Sequence, residues 1–265
     1  MSAPAPCVCE KTELVGASDR APDTCVVIVA GGAGDRFGDP RGKQFVELCG
    51  LPLMCWSLVA HDRAPSVACL VVVCAPERAA EVERDVLSRV VLKKPTTLAA
   101  AGATRQESVL AGLRAMPRDL ALVAVHDAAR PLVETEMIER VISTVRADPA
   151  LAGAILAARS IDTLKLVEKD TIIATPDRTF YWAAQTPQVF RTQALLFAHR
   201  QAVREEYRGT DDASLVERCG GRVRVVECSR DNIKVTVPGD LAIAEAALEQ
   251  RLVDAGCGRP EEGAL

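Results

Sequence analysis

A glycine-rich segment with basic residues is the first part of the chain whose composition indicates chemistry. The segment AGGAGDRFG spans residues 30–38 and directly follows a short apolar run. Glycines let backbone N–H groups approach an anion closely. Arg36 lies inside the segment and Lys43 follows it, an arrangement typical of a triphosphate held by backbone amides and two cations. An ordinary tight turn with two solvated cations is the alternative that this segment leaves open.

Two familiar nucleotide-binding motifs do not fit this segment. The dinucleotide fingerprint GxGxxG would use Gly32 and Gly34, but it then requires a glycine at the position of Phe37. The Walker A motif ends in Gly-Lys-Ser/Thr, whereas Gly42 and Lys43 are followed by a glutamine. The pattern therefore argues against a nicotinamide oxidoreductase and against a P-loop ATPase.

Five polar motifs follow along the chain. They are HDAARP at residues 126–131, DTLK at 162–165, TPDR at 175–178, QTPQ at 185–188 and DNIKVT at 231–236. Together with the glycine-rich segment, they resemble the 2-C-methyl-D-erythritol 4-phosphate cytidylyltransferases of the sugar-phosphate nucleotidyltransferase superfamily. The resemblance extends over residues 25–252. The ribitol 5-phosphate cytidylyltransferases share most of these motifs, but DTLK and the second alanine of HDAAR are more similar to the erythritol family.

A few positions depart from the family pattern. Gly31 stands where alanine is frequent, and Phe37 stands where methionine is common. Pro40 is separated from Lys43 by two residues instead of directly preceding the lysine. The path of the loop over residues 38–43 therefore does not follow from the resemblance, although both cations are present.

The resemblance implies an enzyme that transfers CMP from CTP to 2-C-methyl-D-erythritol 4-phosphate and releases pyrophosphate, in non-mevalonate isoprenoid precursor synthesis. A phosphate monoester is largely ionised at neutral pH, so this chemistry depends on cations and Mg²⁺ rather than on a general base. A catalytically silent nucleotide-binding regulator is the alternative of a different class. The joint presence of Arg36, Lys43, Asp127 and Lys234 argues against it.

The resemblance also implies a role for individual residues. Four basic residues are expected to be catalytic: Arg36, Lys43, Arg178 and Lys234. The nucleotide is expected at Ala30, Gly31, Gly32, Gly34, Gly102 and Ser108. The sugar phosphate is expected at Arg130, Thr163, Thr186 and Thr210. Asp127 and Asp231 are the candidate Mg²⁺ ligands, because hard oxygen ligands suit this ion. His126 lies on an apolar run, and we interpret it as a packed histidine rather than a catalyst.

Alternating apolar runs and helical patterns must position these residues. Apolar runs of strand length occupy residues 25–30, 68–74, 120–125 and 153–158, and they are typical of strands covered on both faces. Helical patterns begin at Pro52, Pro76 and the capping box of Thr104 and Glu107, and further ones cover residues 134–147, 191–206 and 238–251. This alternation predicts an α/β fold with an open, mostly parallel, doubly wound sheet. Ligands of such sheets bind beyond the carboxyl ends of the strands.

Residues 160–180 have a different pattern. The sequence TLKLVEKDTIIAT predicts two short strands around residues 168–170, in a projecting β-arm. The resemblance implies that this arm forms a homodimer. Phe180 and Trp182 are interpreted as core or interface residues. The run IKVTV around Lys234 also has the composition of a short strand.

Composition limits the class of protein. The chain has 265 residues, a net charge of −4 and 49% hydrophobic residues, so it gives no support to nucleic-acid binding and has no membrane-spanning run. Its ten cysteines lack zinc-site spacing, and we expect free thiols in the cytoplasm. The predicted organisation is a disordered leader over residues 1–23, one cytidylyltransferase domain over 24–252 and a tail over 253–265.

Overall fold

A computed structural model describes residues 21–32, 37 and 42–256, with the backbone alone at Lys43. Most of the predicted leader and tail therefore lies outside the described residues. The strands are β1 Thr24–Val29, β2 Glu47–Leu48, β3 Leu51–Pro52, β4 Val67–Cys74, β5 Thr96–Ala100, β6 Leu122–Asp127, β7 Gly153–Arg159, β8 Leu166–Glu168, β9 Thr171–Ala174, β10 Trp182–Arg191 and β11 Val223–Glu227. The helices are α1 Leu53–Arg63, α2 Ala79–Asp85, α3 Arg105–Ala115, α4 Thr135–Ala147, α5 Thr192–Arg204, α6 Asp212–Arg218 and α7 Pro238–Asp254.

Seven of the strands form a central sheet in the order β11-β7-β10-β6-β1-β4-β5. Strand β1 is parallel to both β4 and β6, β4 is parallel to β5, and β7 is parallel to β11. Strand β10 is antiparallel to its neighbours β6 and β7. The prediction of an open, mostly parallel sheet is therefore confirmed.

Helices cover both faces of the sheet, because the central strands are apolar on both. Along β1, Val26 and Ile28 pack with α1, α2 and α4, whereas Cys25 and Val27 pack with α3, α5 and α6. A smaller apolar cluster joins α7 to the start of α1 and includes Leu53, Val235 and Leu248. The doubly wound architecture thus follows from the two-residue period of a strand whose side chains are buried on both sides.

The helix that was predicted to begin at Pro76 is divided. Residues 76–78 form a 3-10 turn, α2 follows, and residues 87–89 form a second 3-10 turn. Val82, Val86 and Val90, which follow at helical spacing, are nevertheless buried. At α3 the capping box forms in a modified way: Thr104 accepts from the Glu107 N–H at 3.1 Å, while the Glu107 carboxylate accepts from the N–H of Ala103.

Several elements were missed by pattern reasoning, and one expectation was wrong. Strands β5 and β11 are half-exposed sheet edges, and β10 contains Gln185, Pro187 and Gln188, so none of them is a continuous apolar run. Helix α6 was also missed. The strand-like run at residues 233–237 is not a strand. The Val235 N–H donates to the carbonyl of Ala129 at 2.8 Å, and the N–H groups of Thr236 and Val237 donate to the Asp240 carboxylate.

The region of the predicted arm contains a short hairpin. Strands β8 and β9 pair antiparallel around Lys169 and Asp170, which both have positive φ. Every residue of the two strands is exposed, including the side chains of Leu166, Ile172 and Ile173. Use of the hairpin for dimerisation stays a prediction. Among the described helices, none has the length and apolar character needed to cross a membrane.

Candidate active site

Several of the predicted site residues lie where the parallel strands of the sheet end. Strand β1 leads directly into Ala30, and Asp127 is the last residue of β6 rather than the residue after it. Because β10 runs in the opposite direction, its early residue Thr186 reaches the same edge, where its hydroxyl accepts from the Asp127 N–H at 3.0 Å. The sheet therefore brings together residues that are distant in sequence at the edge where α/β sheets bind ligands.

Asp127 forms ion pairs with two cations. Its Oδ2 accepts from Nζ of Lys234 at 2.7 Å, and its Oδ1 accepts from Nε of Arg105 at 3.1 Å. Burial by itself would raise the pKa of Asp127, but Arg105, Lys234 and Arg130 hold that pKa below the usual value of an aspartate. The carboxylate is therefore ionised at neutral pH, and it fixes the ammonium group of Lys234 at the edge of the site.

Arg105 continues this network away from Asp127. Its Nη1 donates to Oδ2 of Asp212 at 2.8 Å, and the other oxygen of Asp212 lies 3.1 Å from Nε2 of His199. Burial opposes the charge of Asp212, but Arg105 and His199 lower its pKa. Sequence reasoning missed all three residues. The only available signal was the position of Arg105 in the first turn after the Thr104 cap.

Arg130 and Asn232 connect the Lys234 segment to the sheet. Nη1 of Arg130 donates to the carbonyl of Asn232 at 2.7 Å, and the buried Asn232 amide donates to the carbonyl of Thr186 at 3.1 Å. Nε of Arg130 is buried and has no hydrogen-bond partner among the described residues. Arg130, Thr186 and Lys234 thus form one connected group with Asp127.

The hydroxyl of Thr186 is engaged within the protein. It lies 3.2 Å from Nδ1 of His126, whose Nε2 lies 3.3 Å from the carbonyl of Arg130. Burial, and to a lesser extent His61, lowers the pKa of His126 well below its usual value, so the ring is neutral. The hydrogen-bond pattern assigns the proton to Nε2, and Thr186 therefore donates to Nδ1. His126 is fully buried, as a packed histidine is.

The predicted nucleotide residues lie around the start of α3. Oγ of Ser108 accepts from the Gly102 N–H at 3.2 Å and donates to the carbonyl of Thr104 at 2.8 Å. A Cβ on Gly31 would lie 2.4 Å from Cβ of Ala101 and 3.5 Å from Oγ of Ser108, whereas one on Gly32 would meet nothing within 4 Å. The structure therefore places Gly31, Gly102 and Ser108 together.

Other predicted residues lie outside this group or outside the described residues. Gly34 and Arg36 are not described, and Lys43 opens a 3-10 turn at residues 43–45 with its side chain undescribed. Arg178 is exposed, and its guanidinium donates to the carbonyl of Ile161. Among the described contacts, none joins Thr163 or Arg178 to Lys234. Thr210 directly precedes the N-cap of α6.

The two candidate Mg²⁺ ligands do not form a resident metal site. Both carboxylate oxygens of Asp127 are paired with cations, and Asp231 is exposed and accepts from Oγ of Ser229 at 2.6 Å. Neither residue belongs to a group of three possible ligands within the described part of the chain. Because Mg²⁺ is commonly held by substrate phosphates together with one or two carboxylates, this donor set by itself does not fit the ion.

Comparisons of the sequence with known proteins repeatedly find one family. The family model described as 2-C-methyl-D-erythritol 4-phosphate cytidylyltransferase matches residues 24–250. Proteins of that name from Synechococcus elongatus and Caldanaerobacter subterraneus are 40% and 37% identical to the chain, covering 85% and 84% of it and 96% and 98% of their own lengths.

Solved structures show the same similarity. The 2-C-methyl-D-erythritol 4-phosphate cytidylyltransferase of Thermus thermophilus superimposes with a TM-score of 0.68 at 30% identity, over 84% of this chain and 98% of that one. The 4-diphosphocytidyl-2C-methyl-D-erythritol synthase of Anaerococcus prevotii does so with a TM-score of 0.75 at 25% identity, over 85% and 98%. With its HDAARP, QTPQ and DNIKVT motifs at one edge of the sheet and residues 24–250 matched by the family model, the chain belongs to the 2-C-methyl-D-erythritol 4-phosphate cytidylyltransferase family.

Proposed function

We propose that the protein transfers CMP from CTP to 2-C-methyl-D-erythritol 4-phosphate. An oxygen of the sugar phosphate attacks the α-phosphorus of CTP; a new P–O bond forms, and the bond to the β-phosphate bridging oxygen breaks to release pyrophosphate. The observation that carries the proposal is the cation group of Lys234, Arg105 and Arg130 around Asp127. Arg105 lies on α3, the helix that also carries Ser108 beside Gly31 and Gly102. The names of the relatives support it.

The described side chains account for binding rather than for proton transfer. The sugar phosphate is already ionised at neutral pH, and the buried His126 is neutral and engaged on both nitrogens. Lys234, which is 38% exposed, offers its ammonium group to the phosphate, and Arg130 lies beside it. Gly31, Gly102 and Ser108 line the cytosine side. Arg36 and Lys43 are the proposed groups for charge that develops on the triphosphate.

Mg²⁺ enters this scheme as part of the nucleotide substrate. The triphosphate oxygens supply hard ligands, and the cation-paired Asp127 is not required to hold the ion. The reaction would therefore need Mg²⁺ without a metal ion bound permanently to the protein. Loss of turnover when a chelator is added to protein and nucleotide would measure that need.

The dimer is proposed from the exposed hairpin. Leu166, Ile172, Ile173 and Phe180 are more than half exposed, and a lone two-stranded hairpin is marginally stable in water. A second copy of the chain would cover these side chains and bring Thr163 and Arg178 to its neighbour's Lys234. A cytoplasmic setting is supported by the free thiols of seven described cysteines.

Pyrophosphate release by the purified protein tests the function. CTP, UTP and ATP are each paired with 2-C-methyl-D-erythritol 4-phosphate and with ribitol 5-phosphate, with and without excess EDTA. We expect turnover only for the pair of CTP and 2-C-methyl-D-erythritol 4-phosphate. We expect this turnover to be lost in excess EDTA. Faster turnover with ribitol 5-phosphate would reassign the substrate. Binding of CTP without pyrophosphate release from any pair would indicate a silent regulator.

A further inference from the structure

The first turn of α3 contacts two separate parts of the site. Arg105 is its first residue, and its guanidinium bridges Asp127 at the end of β6 and Asp212 at the start of α6. Burial disfavours a charged group there, but the two carboxylates keep the guanidinium charged. The Arg105 side chain therefore connects the end of β6 to the start of α6.

The next residue, Gln106, holds the loop that precedes α6. Its side-chain amide donates to the carbonyl of Tyr207 at 3.1 Å and accepts from the N–H of Gly209 at 3.1 Å. Thr210 follows directly, and Asp211 caps α6 by accepting from the Ser214 N–H at 2.9 Å. Arg105 and Gln106 thus fix both ends of the short segment that carries Thr210.

We propose that Arg105 is a positioning residue of the sugar-phosphate site, acting through Asp127 on Lys234 and through Asp212 on the Thr210 segment. The inference rests on the proposed function, which assigns Lys234 to the sugar phosphate, and on the family resemblance, which implies the same role for Thr210. Arg105 does not touch the reacting atoms in this scheme. It fixes the carboxylate that holds the ammonium group of Lys234, and through Asp212 it fixes the start of α6, directly after Thr210.

The geometry requires an arginine. A guanidinium presents donors in a rigid planar fork, so Nε and Nη1 bind two carboxylates at once. A lysine keeps the charge but concentrates it at one point, so it cannot hold both carboxylates in the same geometry. Asp212 is fully buried and has His199 as its other described side-chain partner, so loss of the bridge releases the start of α6.

Steady-state kinetics of Arg105→Lys and Arg105→Met tests the inference, with the melting temperature measured for each variant. Arg146→Met is the matched control, because Arg146 is also a half-buried arginine that bridges two partners, Asp23 and Ser66. These partners lie at the opposite edge of the sheet, where β1 begins. If Arg105→Met does not fold, the kinetics of Arg105→Lys, which keeps the positive charge, test the inference.

We expect KM for the methylerythritol phosphate to rise by about tenfold or more in Arg105→Lys, while KM for CTP changes less than about twofold, since small misplacements of binding groups are costly. Arg146→Met should lower the melting temperature without changing the ratio of the two KM values. An equal rise of both KM values, or wild-type kinetics in Arg105→Lys, would overturn the inference. A wild-type protein that releases no pyrophosphate would instead overturn the proposed function, and the inference with it.

Discussion

Lys234 donates to Oδ2 of Asp127 over 2.7 Å, although 107 positions separate the two residues. The side chain of Asp127 is 11% exposed and that of Lys234 is 38% exposed. The carboxylate thus lies inside the protein, and the ammonium group lies between it and the solvent. Because the carboxylate is held from the other side by Arg105, the position of the lysine is set by the interior of the fold.

A double-mutant cycle tests whether Asp127 acts through Lys234. We expect Lys234→Ala and Asp127→Asn each to lower kcat/KM for the methylerythritol phosphate by roughly 10²-fold, the scale of one lost charge contact. The double variant should lose little more than Lys234→Ala, because interacting residues are not additive. Multiplied losses in the double variant would mean that Asp127 has a separate role.

Replacement of Arg36 or Lys43 by alanine should lower kcat more than it weakens CTP binding. Charge that develops on the triphosphate is the expected target of both cations, and one such contact is worth roughly 10²–10³-fold in rate. Arg84→Ala is the control, since this exposed arginine pairs with Asp85 on α2. A rise in KM with unchanged kcat would show that the two residues only bind substrate.

Subunit mixing tests the shared site. Arg178→Ala and Lys234→Ala homodimers should both turn over poorly. Co-refolded mixtures should recover up to about one quarter of the wild-type site activity, because half of the dimers are mixed and each mixed dimer has one intact site of two. Verified exchange without recovery would place Arg178 in the site of its own chain.

Gly31→Ala should destabilise the protein, although alanine is frequent at this position in the family. The added Cβ would lie 2.4 Å from Cβ of Ala101, and overpacking of this kind costs roughly 1–3 kcal/mol. The Gly31→Ala/Ala101→Gly double variant should regain wild-type stability in urea unfolding, and Gly32→Ala is the control, because its Cβ has open space. A Gly31→Ala variant as stable as wild type would contradict the steric argument.

Stability should fall as the pH falls below about 6.5, the usual histidine value. Burial lowers the pKa of His61 to about 4 and lowers that of His126 as well. Between about pH 6.5 and the lowered pKa of each ring, the unfolded chain binds a proton that the native protein does not, so each histidine removes up to about 1.4 kcal/mol of stability per pH unit. The free energy of unfolding in urea between about pH 7.5 and about pH 5 measures the slope.

A variant tests the origin of this slope. His61→Gln should flatten the pH dependence, whatever its effect on the stability at neutral pH, because one of the two protonation steps is removed. His126→Gln should have a similar effect, because burial lowers the pKa of His126 as well. An unchanged slope in both variants would show that other groups cause the loss.

The sequence predicted the central strands because their burial on both faces leaves continuous apolar runs, as in β1 and β4. Strand β10 was missed because Gln185, Thr186 and Gln188 are buried polar residues whose partners are supplied by the fold, as when Gln188 donates to Asp211 at 2.8 Å. A local pattern contains no information about such partners.

Site residues that belong to a sequence motif could be predicted. Site residues that are defined only by tertiary contacts could not. Asp127, Arg130 and Lys234 stand in motifs, and the fold brings them together. Arg105 and Asp212 stand in none, and their ion pair joins residues 107 positions apart. The role of Arg105 follows only from the distances, since an arginine in the first turn of a helix is otherwise an ordinary surface residue.

The place of β7 in the sheet affects how the chain folds as it leaves the ribosome. Strands β1, β4, β5 and β6 are all made by residue 127 and can pair at once, whereas both neighbours of β7, the strands β10 and β11, come after it in the sequence. Until residue 191 has been made, β7 has no strand partner and one edge of β6 stays open. The half of the sheet formed by β1, β4, β5 and β6 is thus complete before β7, β10 and β11 can pair, and in this interval the nascent chain needs protection from edge-to-edge association.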